Sequence, residues 1–204
     1  MRNFEYHTPT QIVFGKDTHL QAGSLLKKYG AKKVLIHYGG QSAVRSGLIN
    51  EITSNLKEAG LEYVTLGGVV PNPHLSKVRE GIELCRKENV DFILAVGGGS
   101  VIDSSKAIGY GVANPDNDVW DFCLKKAVPT GCLPVGVILT IAASGSEMSS
   151  NLVNQPGTDS TLTTIMDQYF LCSVFFQQGT CLKVGIFAKD DAGWCIIFKI
   201  SHNI

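Results

Sequence analysis

One strand-to-helix junction constrains the fold of this 204-residue chain more than any other feature of its sequence. The run DFILAV, residues 91–96, is apolar at nearly every position, as expected for a strand that is covered on both faces of a sheet. Three glycines follow at once, and SVIDSSKAIGYGVA, residues 100–113, continues at helical spacing. Parallel strands need such helical crossovers between them, so this junction predicts a parallel α/β sheet.

The same alternation continues on both sides of the junction. Strands are predicted in TQIVFG, KKVLIHYGG, EYVTLGGV and LPVGVILT, and helices in THLQAGSLLKKYG, GLINEITSNLKEAG and HLSKVREGIELCRKENV. This order predicts an α/β domain with a Rossmann-like parallel sheet over residues 1–150. Residues 151–204 form an atypical tail, in which CLKVGIFAK and GWCIIFKI predict two strands joined by a hairpin-like DDAG. A frameshifted segment without a selected fold is the alternative for this tail.

Composition argues against several classes of partner and location. Eighteen basic residues balance eighteen acidic ones, so we expect neither nucleic acid nor an anionic membrane as a partner. The opening MRNFEYHTPT lacks the pattern of a signal segment, and no apolar run approaches the roughly 20 residues that span a bilayer. The six cysteines contain no CxxC pair, which predicts reduced thiols in a cytoplasmic protein.

The three glycines predict a phosphate site. Gly97, Gly98 and Gly99 stand where ligands bind in open α/β sheets, at the carboxyl end of a parallel strand. Glycine lets the backbone approach a phosphate, and the following helix offers N–H groups and the positive end of its dipole. Ser100 can cap this helix or donate its hydroxyl to a phosphate oxygen. The alternative is a tight turn for close packing, since Ile102 replaces the third glycine of the GxGxxG fingerprint.

Two further stretches extend this site. YGGQS ends an earlier strand with Gly39, Gly40 and Ser42, and two such turns suit a ligand with two separated polar parts, such as a dinucleotide. No acidic residue follows to bind a ribose 2′-hydroxyl, so the turn slightly favours NADP over NAD, a plain loop being the alternative. The stretch TIAASGSEMSSN follows a third strand, and its Ser144 and Glu147 also satisfy the S-x-x-E capping box.

Together these pieces resemble a known family, the iron-containing (group III) alcohol dehydrogenases, and especially their butanol dehydrogenase branch. The resemblance covers about the first 150 residues through FEYHTPTQIVFG, YGGQSAVRSG, GVVPNP, GGGSVIDSSKAI and TIAASGSEMSSN. It implies a dehydroquinate synthase-like N-terminal domain, followed in the family by a helical domain that is largely missing here. Glycerol dehydrogenases and dehydroquinate synthases share this fold, but the stretches at 97–108 and 140–151 favour the alcohol dehydrogenases.

The resemblance also implies the cofactor and its contacts. Asp103 is placed near the nicotinamide end, although spacing alone would make it a charge on a helix surface. NADP or NAD is expected to be bound by Gly39, Gly40, Ser42, Gly97, Gly98, Gly99, Ser100, Asp103, Thr140, Ser144 and Ser149.

The family's reaction also uses a metal ion, and this sequence lacks the expected ligands for it. Members pass hydride between the nicotinamide and a small alcohol or aldehyde, with Fe²⁺ or Zn²⁺ held by one Asp and three His of the helical domain. The chain has close to half the family's usual length, and His202 is its only histidine after residue 150. GTDSTLTTIMDQYF, residues 157–170, resembles the helix with the first two ligands, yet it places Ser160 and Thr164, or Asp159 and Thr163, at their positions. Chance similarity is the alternative.

These observations predict a catalytically incomplete alcohol dehydrogenase without metal ligands. The alternative is a non-catalytic nucleotide-binding remnant, or a subunit completed by another chain, and a homodimer is also expected. His7, His19 and His74 are interpreted as surface or loop residues, and His37 as a strand residue on the nucleotide side.

Overall fold

The computed structural model of the chain describes residues 11–14, 17–141, 145–148, 152–154, 163–165, 182–187 and 195–200. The strands in this part are β1 (Gln11–Phe14), β2 (Lys33–Tyr38), β3 (Glu62–Leu66), β4 (Phe92–Gly97), β5 (Val135–Leu139), β6 (Leu152–Asn154), β7 (Thr163–Ile165), β8 (Leu182–Phe187) and β9 (Cys195–Ile200). The α-helices are α1 (Ala22–Lys28), α2 (Ser42–Arg45), α3 (Leu48–Glu58), α4 (Leu75–Glu88), α5 (Gly99–Ala113) and α6 (Val119–Cys123). Short 3₁₀ turns lie at Thr18–Gln21 and Ser146–Met148. None of the described helices is long and apolar enough to cross a bilayer.

Seven strands form one sheet in the order β1-β9-β8-β5-β4-β2-β3. The strands β3, β2, β4 and β5 run parallel to one another, which confirms the predicted α/β fold with a Rossmann-like parallel sheet. Beyond β5 the direction changes, because β8 pairs antiparallel with both β5 and β9, and β1 lies parallel to β9. The two strands predicted in the tail are therefore confirmed, with Leu182 opposite Ile200.

Residues 163–165 are the only part of the segment 157–170 that the structure describes, and they are extended rather than helical, which favours the alternative of chance similarity. Thr163–Ile165 form β7, which pairs antiparallel with β6. Thr163, Thr164 and Ile165 are consecutive β-branched residues, whose restricted side chains favour an extended backbone over a helix. The positions aligned with the first metal ligand, Ser160 and Asp159, lie outside the described residues.

The core is built around the middle of the sheet. Every residue of β4 and β5 is buried, and so is β2 from Val34 to His37. Helix α5 is buried from Val101 to Gly111, which is unusual for a helix and shows that other elements cover most of its surface. This buried position explains why the residues of α5 are mostly small and apolar and do not form an amphipathic pattern.

Glycines allow α5 to pack closely against α4. A Cβ atom at Gly81 would lie 2.3 Å from Cδ1 of Ile108, and one at Gly111 would lie 2.2 Å from Cδ1 of Ile82. Each helix therefore offers a glycine to the isoleucine of the other. These two glycines have a packing role that is separate from the turn at the start of α5.

The histidines in this part of the fold are structural. His19 is only 3% exposed, and its Nε2 lies 2.7 Å from Oε2 of Glu51 on α3. The interpretation of His19 as a surface or loop residue is therefore wrong, because a hydrogen-bonding partner on α3 lets the 3₁₀ turn at 18–21 bury it. The strand location of His37 is confirmed.

His37 joins β2 to two neighbouring elements. Its Nδ1 lies 2.9 Å from the carbonyl oxygen of Leu66, and its Nε2 lies 2.8 Å from Oγ of Ser104. Because a carbonyl only accepts, Nδ1 carries the proton, and Nε2 accepts from the Ser104 hydroxyl. Burial lowers the pKa of His37 to about 4, so the imidazole is neutral at pH 7.

This neutral histidine predicts a loss of stability in mild acid. The unfolded chain binds the proton near the ordinary pKa of 6.5, whereas the folded chain binds it only near 4. Between these values the unfolded state holds more protons, so the free energy of unfolding falls as the pH falls, by about 2 kcal/mol between about pH 7 and pH 5.

Urea unfolding at both pH values measures this effect in the wild type and in His37→Asn, whose amide can still donate to the Leu66 carbonyl. We expect the variant to be less stable at neutral pH but to lose about 2 kcal/mol less on acidification. Equal losses in the two proteins would show that His37 does not carry the dependence.

Candidate nucleotide-binding site

The turn between β4 and α5 brings the helix back directly onto the end of the strand. A Cβ atom at Gly97 would lie 2.5 Å from Cγ2 of Val101, so only glycine lets the helix fold back directly onto the strand. The backbone N–H groups of Val101 and Ile102 donate to the carbonyl oxygen of Gly98 at 3.0 and 3.2 Å. Helix α5 therefore begins at the carboxyl end of a central strand, with no acidic residue in its first turn. Its positive end is open to an anionic ligand.

The ends of β2 and β5 lie on either side of this turn. Since the strand order is β5-β4-β2, Thr140 follows on one side and the segment 39–42 follows on the other. The backbone N–H of Thr140 donates to the carbonyl oxygen of Gly97 at 2.9 Å, which holds the exit of β5 against the turn. Three consecutive strand ends thus meet at one edge of the sheet.

The loop after β3 forms a further wall. Backbone N–H groups of Gly68 and Val69 donate to the carbonyl oxygens of Gly39 and Tyr38, at 2.9 and 3.3 Å. Further along this loop, the N–H of Asn72 donates to Oγ of Ser100 at 3.3 Å. Ser100 accepts this bond, so its own hydroxyl hydrogen can donate to a ligand.

These segments enclose a cavity of about 350 Å³, within the usual range for small-molecule sites. Its apolar walls include Val69, Val70, Pro71 and Ile141. Eight of the residues predicted to contact the cofactor line it: Gly39, Gly40, Ser42, Gly97, Gly98, Gly99, Ser100 and Thr140. Ser144 and Ser149 lie outside the described residues, and Asp103 does not line the cavity.

Two of the lining glycines fit a ligand that touches the backbone. Among the described residues, a Cβ atom at Gly98 would meet only Ile141, no closer than 3.7 Å, and one at Gly40 would meet nothing within 4 Å. Gly98 has φ −96°, and neither glycine has a positive φ. The fold itself would therefore accept a side chain at both positions, although glycine costs conformational entropy there. Both positions leave the backbone accessible to a ligand in the cavity.

Asp103 belongs to a buried polar cluster on α5 that does not line the cavity. It is 7% exposed, so its interpretation as a helix-surface charge is wrong. Its Oδ1 lies 3.8 Å from Nζ of Lys106, which is fully buried and donates to the backbone carbonyl oxygen of Ser146. Burial lowers the pKa of Lys106 to about 8, against the opposing effect of Asp103, and burial raises the pKa of Glu147 to about 7.

Lys106 was missed by the sequence reasoning. A lysine within a helix normally predicts a solvated face. The neighbouring residues could have predicted its burial. The stretch SSKAIGYGVA is small and apolar, with no polar face of the helix on which a lysine would reach water.

The described residues do not fit a catalytic metal. No group of three or more His, Cys, Asp or Glu side chains comes together among them. His19 is engaged with Glu51, and His37 with Leu66 and Ser104, in separate parts of the fold.

Comparisons with known proteins agree with this geometry. A family model described as iron-containing alcohol dehydrogenase matches residues 9–177. The probable NADH-dependent butanol dehydrogenase 1 of Bacillus subtilis is 48% identical over 153 residues, which are 75% of this chain and 39% of that protein. The NADPH-dependent aldehyde reductase YqhD of Escherichia coli is 38% identical over 160 residues, with the same two shares.

A solved structure extends the likeness to the fold. The crystal structure of the NADH-dependent butanol dehydrogenase A of Thermotoga maritima superimposes with a TM-score of 0.79 and 40% identity, covering 82% of this chain and 42% of that one. The chain thus spans about two fifths of the length of these relatives. Since the family model matches most of the chain, this protein belongs to the iron-containing alcohol dehydrogenase family.

Proposed function

We propose that the cavity binds a nicotinamide dinucleotide, NADP or NAD, and that the chain supplies the nucleotide-binding part of an alcohol or aldehyde oxidoreductase. The observation that carries the proposal is the pair Gly40 and Gly98, which face the cavity and have no steric or conformational need to be glycine. Both flank the start of α5, where a pyrophosphate gains N–H donors and the helix dipole.

The order of the strand ends orients the ligand. The pyrophosphate lies at the Gly97–Ser100 turn, in the middle of the cavity. The adenosine half extends towards Gly39–Ser42, and the nicotinamide half extends towards Thr140 and Ile141. Asp103, Ser144 and Ser149 stay predicted contacts of the nicotinamide half, on the family resemblance alone.

The bound nicotinamide would supply or accept the hydride, and this chain's residues would hold and orient it. The substrate is proposed to be a small alcohol or aldehyde, in keeping with the names of the Bacillus and Escherichia relatives. Fe²⁺ or Zn²⁺ serves this chemistry in the family, but the described residues do not fit such an ion, so we derive no step through it. A second candidate, a nucleotide-binding subunit completed by another chain or by a homodimer partner, is favoured by the engagement of His19 and His37 in the fold.

Gly98→Val tests the placement of the pyrophosphate. A Cβ atom there has room beside Ile141, and the branched side chain would fill the space where the backbone meets the phosphate, so we expect NADPH and NADH to bind at least about tenfold more weakly. Titration calorimetry measures the affinity, and far-UV circular dichroism checks the fold.

Gly131→Val is the matched control, since a Cβ atom there meets only Ala113, at 3.7 Å, and Gly131 does not line the cavity. Unchanged dinucleotide affinity in a folded Gly98→Val protein would contradict the proposal.

Gly40→Asp tests which dinucleotide is preferred. The turn at 39–42 has no acidic residue, so we expect the wild type to bind NADPH at least as well as NADH. The names of the relatives include both cofactors and do not decide between them. An aspartate at this open position adds an acceptor for a ribose hydroxyl and repels a 2′-phosphate, which should shift the NADPH-to-NADH affinity ratio by about tenfold towards NADH.

Gly40→Asn separates charge from size in this experiment, and it should shift the ratio much less. A wild type that clearly prefers NADH would refute our interpretation of the turn.

The described residues also bear on turnover by the chain alone. A catalytic metal needs about three protein ligands, and the described residues bring no such group together. We therefore expect the purified chain, supplied with Fe²⁺ or Zn²⁺, butanol or butanal and either dinucleotide, to show no change in nicotinamide absorbance. Metal-dependent turnover that a chelator abolishes would contradict this expectation.

A further inference from the structure

A fully buried lysine connects the nucleotide-binding helix to the chain that leaves β5. Lys106 lies two turns into α5, with no exposed surface. Its Nζ donates to the carbonyl oxygen of Ser146, a residue 40 positions further along the chain. The same atom lies 3.8 Å from Oδ1 of Asp103, one turn earlier on α5. One ammonium group therefore holds together two segments that meet only in the folded protein.

The surroundings of Lys106 are charged as well as buried. Asp103 faces it from its own helix, Glu147 from the 3₁₀ turn, and Cys132 from the segment before β5. Glu147 is 7% exposed, so both carboxyl groups are held away from water. A buried ion pair rarely stabilises a fold more than apolar side chains of the same size would. Packing alone therefore gives no reason for a lysine here.

The position of this connection relative to the cavity suggests its role. Thr140 and Ile141 line the cavity on the β5 side, and Ser146 follows only a few residues later. The N–H of Thr140 donates to the carbonyl oxygen of Gly97, and the carbonyl oxygen of Ser146 accepts from Lys106. Gly97 and Lys106 both lie on the strand–turn–helix unit that carries the proposed pyrophosphate site. The wall on the β5 side therefore has a set distance from the turn.

We propose that Lys106 is a positioning residue for the nicotinamide half of the dinucleotide, because it holds Ser146 against α5, a few residues after the cavity-lining Thr140 and Ile141. The inference rests on the proposed function. It assigns Lys106 no contact with the ligand and no effect on the adenosine side, where the walls come from β2 and the loop after β3.

Comparing a whole dinucleotide with its adenosine–pyrophosphate part tests this role. ADP occupies the turn and the β2 side, whereas NADPH and NADH also reach the β5 side. In Lys106→Met, which keeps the length of the side chain but removes the charge and the donor, we expect dinucleotide affinity to fall at least about tenfold and ADP affinity to change by less than about twofold. Lys87→Met, at an exposed lysine of α4, should change neither.

The wild type offers a second measurement that does not need a variant to fold. Burial lowers the pKa of Lys106 to about 8, so raising the pH from about 7.5 to about 9.5 removes its charge while ADP stays fully ionised. The charge-assisted bond to Ser146 and the attraction to Asp103 then weaken. We expect the ratio of dinucleotide affinity to ADP affinity to fall by about threefold or more over this range, and to stay constant in Lys106→Met.

The outcomes separate this inference from the proposed function. A wild type that binds neither ADP nor a dinucleotide would overturn both. If the wild type binds them, equal affinities in Lys106→Met, or an equal loss for ADP and dinucleotide, would overturn the role of Lys106 alone. If Lys106→Met does not fold, the wild-type pH series decides, and a constant ratio overturns the inference.

Discussion

The close contact between Gly97 and Val101 is the constraint on which the rest of the site depends. Because Gly97 has no side chain, Val101 can settle onto the end of β4 and α5 can begin at Gly99. A longer connection would carry the helix N-terminus away from the sheet edge. The same turn provides the carbonyl oxygen of Gly97 that receives the Thr140 N–H, so it also sets where β5 ends. The absence of a Cβ atom at Gly97 therefore sets the position of the turn at the start of α5 and of the end of β5, which both line the cavity.

The sequence alone does not distinguish the roles of the glycines around this turn. Gly97 and Gly111 leave room for Val101 and Ile82, so the fold itself explains them. Gly98 and Gly40 leave room that no part of the described fold occupies. Only the atomic positions distinguish the two groups, because the sequence shows the same residue whether glycine is needed for packing or for ligand contact. The structure therefore supports the phosphate interpretation at Gly98 and Gly40 and the close-packing alternative at Gly97.

The fold of residues 17–141 could be predicted because its pattern is local. Apolar β-branched runs and amphipathic runs alternate there, and glycines mark most of the boundaries. The surface interpretation of His19 is wrong because its partner Glu51 lies 32 residues away along the chain. Lys106 drew no prediction, and its partner Ser146 lies 40 residues away. Propensity places such residues in solvent because it has no information about distant partners. At 163–165 the sequence left a metal-ligand helix and chance similarity open, and the strand β7 favours the second.

The two halves of the proposed chemistry make different demands on a sequence. The proposed binding of a dinucleotide would rely on backbone groups, open glycines and a helix dipole, all within residues 39–141. A metal that polarises a substrate oxygen needs several specific side chains at fixed distances. Of the described histidines, His37 joins β2 to β3 and α5, and His19 joins the 3₁₀ turn at 18–21 to α3. The proposed binding therefore depends less on particular side chains than a metal-assisted reaction would.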